Sequence, residues 1–265
     1  MEYVPGVYQG TVPDVTDRVV YLVDFSYKRD VIDAMLKIAK NVILIDHHKS
    51  ALEDLWDLAS VGLDTSNSSL EHSGAVLTWK FIDKLTKSTS IIPKTVLHVE
   101  DRDLWKFLMP DTKAICAYLY NKLDSSKDQI TMFQEWDKLM KASKVSYRHM
   151  ISVGEALVED HSKLAKECAK HTRMMTFEGG GMAYGPIEIP VCNCQPVFSS
   201  EVGNMLAEQN PFGVTYIDMK DCRNFSLRSI KGKWDVSKTA AMYNGGGHEC
   251  AAGFKVSRDH PLAKA

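Results

Sequence analysis

Val42, Ile43, Leu44 and Ile45 form an unbroken apolar run, and the next three residues are Asp46, His47 and His48. A run of this length, rich in β-branched side chains, reads as a strand buried on both faces. "RVVYLVDFS" at 18–26 reads as an earlier strand, and "KRDVIDAMLKIAK" at 28–40 places apolar residues at helical spacing between the two. "SGAVLTWKFIDKL" at 73–85 predicts a helix with Ser73 as its N-cap and Val76, Leu77, Phe81 and Leu85 on one face. "IIPKTVLHVEDRDLWKF" is divided: Pro93 suits a first helical turn, whereas Thr95, Val96 and Val99 favour a strand, and helix is the preferred reading.

Strand–helix–strand alternation implies parallel pairing through right-handed crossovers. The pattern then changes. "HMISVGEALVEDHSKLAKECAKHTRMM" keeps a helical period without proline and predicts one long helix. Beyond "EGGG" at 178–181 come three strand-like segments, "MAYGPIEIPVCN", "GVTYIDM" and "NFSLRSI", then a helical "SKTAAMYN" and a glycine-rich turn. The expected fold class is α/β: a parallel-sheet N-terminal domain over 1–147, a helical linker over 148–177, and a smaller α/β C-terminal domain with a mixed sheet over 178–265.

Composition narrows the class without choosing a chemistry. The chain has 265 residues, 45% of them hydrophobic and 25% charged, with a formal net charge of −2. Near-neutral charge gives no duplex-DNA footprint. No run of 18 apolar residues points to a membrane, and "MEYVPGVYQG" lacks the basic start and apolar core of a signal peptide. Six scattered cysteines suit a reducing compartment, so a cytoplasmic location is expected. Cys192 and Cys194 in "VCNC" would face one side of a strand, as core packing rather than half a metal site.

The polar residues at the strand ends carry the chemistry. Asp24 ends "VYLVD" as Asp46 ends "VILID", so parallel strands would bring both acids and the two histidines to one rim of a sheet. A third acidic cluster, "EDRD" at 100–103, closes the last element of this half. Carboxylates and imidazoles together suit Mn²⁺ or Mg²⁺ with open water positions, and two such ions about 3.5–4 Å apart support phosphoryl hydrolysis. Each piece has an ordinary alternative. A lone aspartate at a strand end is usually a turn or capping residue, and an acidic helix end is usually solvated. Two histidines directly after a buried strand are harder to explain as decoration, and Asp46 beside them can fix a ring tautomer. In "NGGGHECAAGF" the glycines Gly245, Gly246 and Gly247 could present N–H groups to an anion, His248 adds a donor, and Arg228 in "FSLRSI" offers a planar fork matched to phosphate.

"VDFS", "IDHHKSA", "SGAVLTW" and "VEDRDLW", with "LRSIKGKWDVSKTAAMYNGGGHECAAGF" at 227–254, resemble the DHH phosphoesterase superfamily, in its oligoribonuclease and cyclic-nucleotide phosphodiesterase branch. The resemblance covers nearly the whole chain, and the C-terminal stretch is similar to the DHH-associated domain. It implies two Mn²⁺ ions bridged by Asp24, with His47 and Asp101 on the second, and Asp103 as the less favoured substitute for Asp101. It places His48 beside the scissile phosphate, Asp46 behind the histidines, and Arg228 and His248 on the phosphate.

Members of that family carry a further strand with a histidine and two aspartates upstream, which this sequence lacks; His72 and His98 match by residue type only. With Asp24, His47 and Asp101 alone, one ion is expected to bind more weakly. The implied activity is hydrolysis of phosphodiester bonds in short oligonucleotides or small nucleotides by a metal-activated water. Two other readings stay open: a catalytically depleted nucleotide-binding protein, and a pyrophosphatase or exopolyphosphatase. Homo-oligomerisation stays open as well. Few aromatic residues fall near the motifs, so no base-stacking residue is assigned.

Overall fold

The computed structural model describes residues 2–6, 11–123, 128–178 and 185–264, and divides the chain into two compact units, Met1–Glu159 and Asp160–Ala265. The first unit opens with β1 (Val19–Val23), α1 (Arg29–Ile38), β2 (Asn41–Ile45), α2 (Lys49–Leu55) and β3 (Leu63–Asp64). Its three strands form a parallel sheet in the order β1-β2-β3, with Val23 opposite Ile45 and Val42 opposite Leu63.

Helices follow: α3 (Gly74–Thr86), α4 (Lys94–Asp103), α5 (Thr112–Lys122), α6 (Gln129–Met140) and α7 (Lys144–Ala169), the last running across the division between the units. The segment divided between strand and helix is therefore the helix α4. Ser73 caps α3 as its sequence predicts, accepting a hydrogen bond from the Val76 N–H.

The central strand earns its apolar run. Val42 and Leu44 pack with Leu22, Ile32, Met35 and Leu63 on one face, while Ile43 and Ile45 pack with Leu77 and Phe81 of α3 on the other. Burial of a side chain of this kind stabilises the fold by roughly 1.5–3 kcal/mol relative to exposure. The outer strand β1 differs: Leu22 is buried, but Val19, Tyr21 and Val23 on the opposite face are exposed. A smaller core of Ile115, Tyr118, Leu119 and Met150 joins α5 to the first half of α7. Ala114 meets that helix so closely that a Cβ on Gly154 would lie 1.9 Å from the Ala114 carbonyl oxygen.

The second unit continues with β4 (Thr172–Phe177), β5 (Ile187–Asn193), α8 (Ser199–Gln209), β6 (Phe212–Asp218), β7 (Cys222–Ser229), α9 (Val236–Ala241), β8 (Gly246–His248) and β9 (Ala251–Ser257). They form a six-stranded mixed sheet in the order β4-β5-β6-β7-β9-β8, in which only β5 and β6 run parallel. Phe177, Ile189, Val214, Phe225, Leu227 and Phe254 form its core.

The single long helix expected up to residue 175 ends at Ala169, and the next stretch becomes β4, where Met175 and Phe177 alternate into the core. Part of "EGGG" and of "MAYGPIEIPVCN" lies outside the described residues. Cys192 and Cys194 are buried beside Ala165 and Val202, and the Cys192 thiol donates to the Cys168 carbonyl. No described helix is long and apolar enough to cross a membrane.

Candidate functional site

The parallel register of β1 and β2 determines what meets at their carboxyl ends. The Asp24 N–H donates to the Ile45 carbonyl at 2.9 Å, so Asp24 and Asp46 leave the sheet on one rim, the usual place for ligands in open α/β sheets. Asp24 adopts φ +51°, a left-handed conformation uncommon outside glycine. Gly74, the first residue of α3, lies against its side chain. A Cβ there would fall 2.4 Å from both Cγ and Oδ1 of Asp24. The "SG" that opens the helix therefore supplies a cap and, beside it, the space for a carboxylate.

His47 is nearly buried, and its Nε2 lies 3.1 Å from Asp24 Oδ1 and 3.3 Å from Asp103 Oδ2. Both carboxylates stay about half exposed, so the imidazole forms the floor of a small acidic group open to solvent. Asp46 is fully buried and organises the histidines. Its Oδ1 accepts from the His47 N–H at 2.7 Å, from the His48 N–H at 3.2 Å, and from the His48 ring at Nδ1, 2.6 Å away. Its Oδ2 is buried with no hydrogen-bond partner among the described residues. One ligand atom from each of Asp24, Asp46 and His48 falls within 4.8 Å of the others, a grouping able to hold a metal ion.

The charges respond to this crowding. Burial works against a charged His48, but the hydrogen bond to Asp46 and the fields of Asp46, Asp24 and Asp103 outweigh it and raise its pKa. Burial and the like charge of Asp24 raise the Asp103 carboxyl, against the attraction of His47 and His48. A raised Asp103 carboxyl and a raised His48 imidazole in one group mark a local excess of negative charge. A bound cation would offset that charge, and the carboxylate oxygens with imidazole nitrogen form a donor set able to hold a metal ion.

Asp101, the expected ligand, faces elsewhere. It is buried, and its carboxylate accepts from the N–H groups of Leu108 and Met109 at 2.8 and 3.0 Å and from the Thr112 hydroxyl at 2.5 Å. Its carbonyl takes the N–H groups of Lys106 and Phe107. Burial disfavours its charged form, yet these hydrogen bonds hold its pKa below the usual carboxylate value. Asp103, two residues on, is the acid that reaches His47.

His72 and His98, the two that match the family's upstream ligand by residue type, belong to structural contacts. The His98 ring bonds to the Thr112 hydroxyl at 2.8 Å. His72 lies 3.2 Å from Glu100, whose carboxylate also takes the Ser73 N–H, and its Nε2 lies 2.6 Å from the Lys80 amine.

In the second unit, Ala251 of β9 pairs with Arg228 of β7 on one side and with His248 of β8 on the other. Directly opposed residues share a face, so arginine and histidine point from the same half-exposed side of the sheet, two strand spacings apart, about 9–10 Å between backbones. Arg228 is braced by hydrogen bonds from its guanidinium to the Ser200 hydroxyl and the Leu227 carbonyl, each 2.9 Å.

The glycines before His248 differ from the expected anion nest. Gly245 donates its N–H to the Ala240 carbonyl, and Gly246 and Gly247 belong to β8, paired with β9. Of the three, only Gly247 has positive φ, at +140°. What they permit is close packing: a Cβ at Gly245 would lie 2.1 Å from the Gly253 carbonyl oxygen, and one at Gly247 2.5 Å from that of Ala251. The sequence signal for a loop was glycine content, and a glycine-rich edge strand carries the same signal.

No family model matches the chain. Among curated proteins, it is 28% identical over 250 residues to Uncharacterized protein R106 of Acanthamoeba polyphaga mimivirus, an alignment covering 92% of this chain and 54% of the relative. The chain thus spans about half the length of that relative. Among solved structures, it is similar to an uncharacterized protein from Helicobacter pylori G27, with 16% identity, 91% and 77% of the two chains covered, and a TM-score of 0.29. It is also similar to an exopolyphosphatase-related protein from Bacteroides fragilis, with 14% identity, 93% and 68% covered, and a TM-score of 0.37. A third similar structure is PggH, a pGpG-specific phosphodiesterase from Vibrio cholerae, with 12% identity, 91% and 93% covered, and a TM-score of 0.37.

Proposed function

We propose that this chain is a divalent-cation-dependent phosphoesterase that hydrolyses phosphodiester bonds of short oligonucleotides or small nucleotides. The observation that carries the reading is the meeting of Asp24 and Asp103 on Nε2 of His47 at the carboxyl ends of two parallel strands. The resemblance to DHH phosphoesterases in "IDHHKSA" and "GGGHECAAGF" supports it independently.

Asp24, His47 and Asp103 would hold the cation, with Asp103 in the part first expected of Asp101. When bound, a divalent cation such as Mn²⁺ supplies Lewis acidity and lowers the pKa of water that it binds. Asp46 fixes the ring orientation of His48 through Nδ1, and its buried Oδ2 offers one more oxygen donor. His48, held toward its charged form, stands ready to donate to a phosphate oxygen. Arg228 and His248 form an anion-binding pair on their own sheet, suited to phosphate by the fork geometry of the guanidinium.

Hydrolysis of a 5′-phosphorylated RNA dinucleotide, followed with and without Mn²⁺, tests the reading. Mn²⁺-dependent release of mononucleotides, lost in Asp24→Ala while the circular dichroism spectrum is retained, is the expected result. Turnover that survives in Asp24→Ala would refute it. Nucleotide binding indifferent to Mn²⁺, with no product formed, would mark a binding protein instead.

A further inference from the structure

Immediately after Asp103 the chain turns through a loop that presents aromatic side chains to solvent. Trp105 is 43% exposed, and Tyr120 of α5 is 67% exposed. The Arg102 guanidinium lies between them, 5.8 Å from the Trp105 ring centroid and 5.2 Å from that of Tyr120, both within cation–π range. Phe107 meets the edge of Trp105 at 4.8 Å between centroids, and Lys113 lies 5.1 Å from the Phe107 ring.

Nothing about this loop is casual. Trp105 and Phe107 both have positive φ, at 54° and 49°, a conformation bulky residues seldom adopt. The conformation is imposed by Asp101, which accepts the four successive N–H groups of residues 106–109 through its carbonyl and carboxylate. An exposed tryptophan is thus held in a fixed pose, two residues from a carboxylate of the proposed cation site.

We infer that Trp105, with Arg102 and Tyr120 behind it, is a stacking platform for a nucleobase of the substrate. This rests on the proposed phosphoesterase reading and deepens it by naming the residues that would select a base-bearing nucleotide over inorganic polyphosphate or pyrophosphate. An indole face accepts any base by stacking, and base–aromatic contacts of this kind are tolerant of sequence. The guanidinium adds positive charge for the phosphate that accompanies the base. Trp105 lies within the "VEDRDLW" motif, and the platform supplies the base-stacking residue that the sequence alone left unassigned.

The test is calorimetric, with Mn²⁺ present: binding of adenosine 5′-monophosphate is compared with that of ribose 5-phosphate, which has the same phosphate and sugar without the base. The wild-type chain should bind the nucleotide about tenfold more tightly, equivalent to ~1.4 kcal/mol. Trp105→Ala should bring that ratio close to one while leaving ribose 5-phosphate affinity unchanged. Trp105→Phe should keep most of the preference, and Trp56→Ala, at an exposed tryptophan elsewhere, all of it. Should Trp105→Ala fail to fold, Tyr120→Ala removes the other wall of the stack and should reduce the ratio about threefold.

A wild-type ratio near one overturns the inference, as does a ratio unchanged in Trp105→Ala or an equal loss of both ligands in a folded variant. Because binding is read without turnover, a tryptophan-dependent preference in a chain that hydrolyses no dinucleotide would refute the phosphoesterase reading alone. Mn²⁺-dependent hydrolysis with no such preference would refute the stacking platform alone.

Discussion

Gly74→Ala is the substitution that isolates the geometry of the site from the chemistry of its ligands, because it leaves every polar group in place. On helix propensity alone it should help, by up to ~1 kcal/mol, and less at the first position of α3. Against this, the new methyl group would sit 2.4 Å from Cγ and Oδ1 of Asp24 and 2.5 Å from its Cβ. Ordinary contact begins near 3.4 Å, so the carboxylate or the helix must move by about 1 Å. The aspartate has little room to yield, since its backbone already has positive φ and its N–H is held by the Ile45 carbonyl.

Overpacking of this kind costs about 1–3 kcal/mol, which exceeds the helical gain. The net loss of stability should therefore be modest, about 0–3 kcal/mol, and readable as a drop in urea midpoint. The functional loss should be larger. A displacement of ~1 Å at a positioned group can lower activity ~10²-fold. Mn²⁺ titration by calorimetry and dinucleotide hydrolysis on the same folded sample separate the two effects. Wild-type Mn²⁺ affinity and turnover in Gly74→Ala would refute the placement of Asp24 in the cation site.

Asp103→Asn should weaken Mn²⁺ binding at least tenfold, by titration, with little change in melting temperature. Asp101→Asn should do the reverse, losing about 1–3 kcal/mol of stability by chemical denaturation, because it weakens buried hydrogen bonds. In the second unit, Arg223 and Arg258 both bond to Asp218 and hold its carboxyl below the usual range, Arg223 foremost. A depressed folded pKa contributes stability above the unfolded value and loses it as pH falls through the folded one. Denaturation midpoints should therefore fall more steeply below about pH 4 in the wild type than in Asp218→Asn. At neutral pH that variant should lose about 2–3 kcal/mol, less than the ~3–5 of a fully buried pair, since Asp218 is a third exposed. Gly247→Ala should destabilise the second unit, by melting temperature, because a Cβ would meet the Ala251 carbonyl at 2.5 Å and the backbone has φ +140°.

The strand ends were legible because Val42 to Ile45 and Val19 to Val23 are continuous apolar runs, and a parallel pair necessarily puts Asp24 and Asp46 on one rim. Asp101 and Asp103 were not separable on the same grounds. Two residues apart on a helix they point about 160° away from each other, so at most one can face a given site. Both stand in the last turn of α4, where no further apolar repeat sets the phase. β4 was hidden because "HTRMM" continues a helical pattern that meets no proline or glycine between Glu155 and Glu178 to stop it. The base platform was hidden for another reason: the pose of Trp105 depends on hydrogen bonds from four backbone groups to one aspartate, which no spacing of side chains encodes.

The Asp101 clamp also bears on the order in which the first unit assembles. Its side-chain bonds to Leu108, Met109 and Thr112 span only 7, 8 and 11 residues. Val23 and Ile45, whose pairing brings Asp24 to His47, are 22 residues apart with a helix between them. Short closures carry less entropy loss and form sooner. The α4–α5 corner should thus be one of the earliest folded pieces, with Trp105 already in its pose when the sheet arrives to complete the cation site. Refolding followed by amide exchange should then protect Leu108 and Met109 before Asp24.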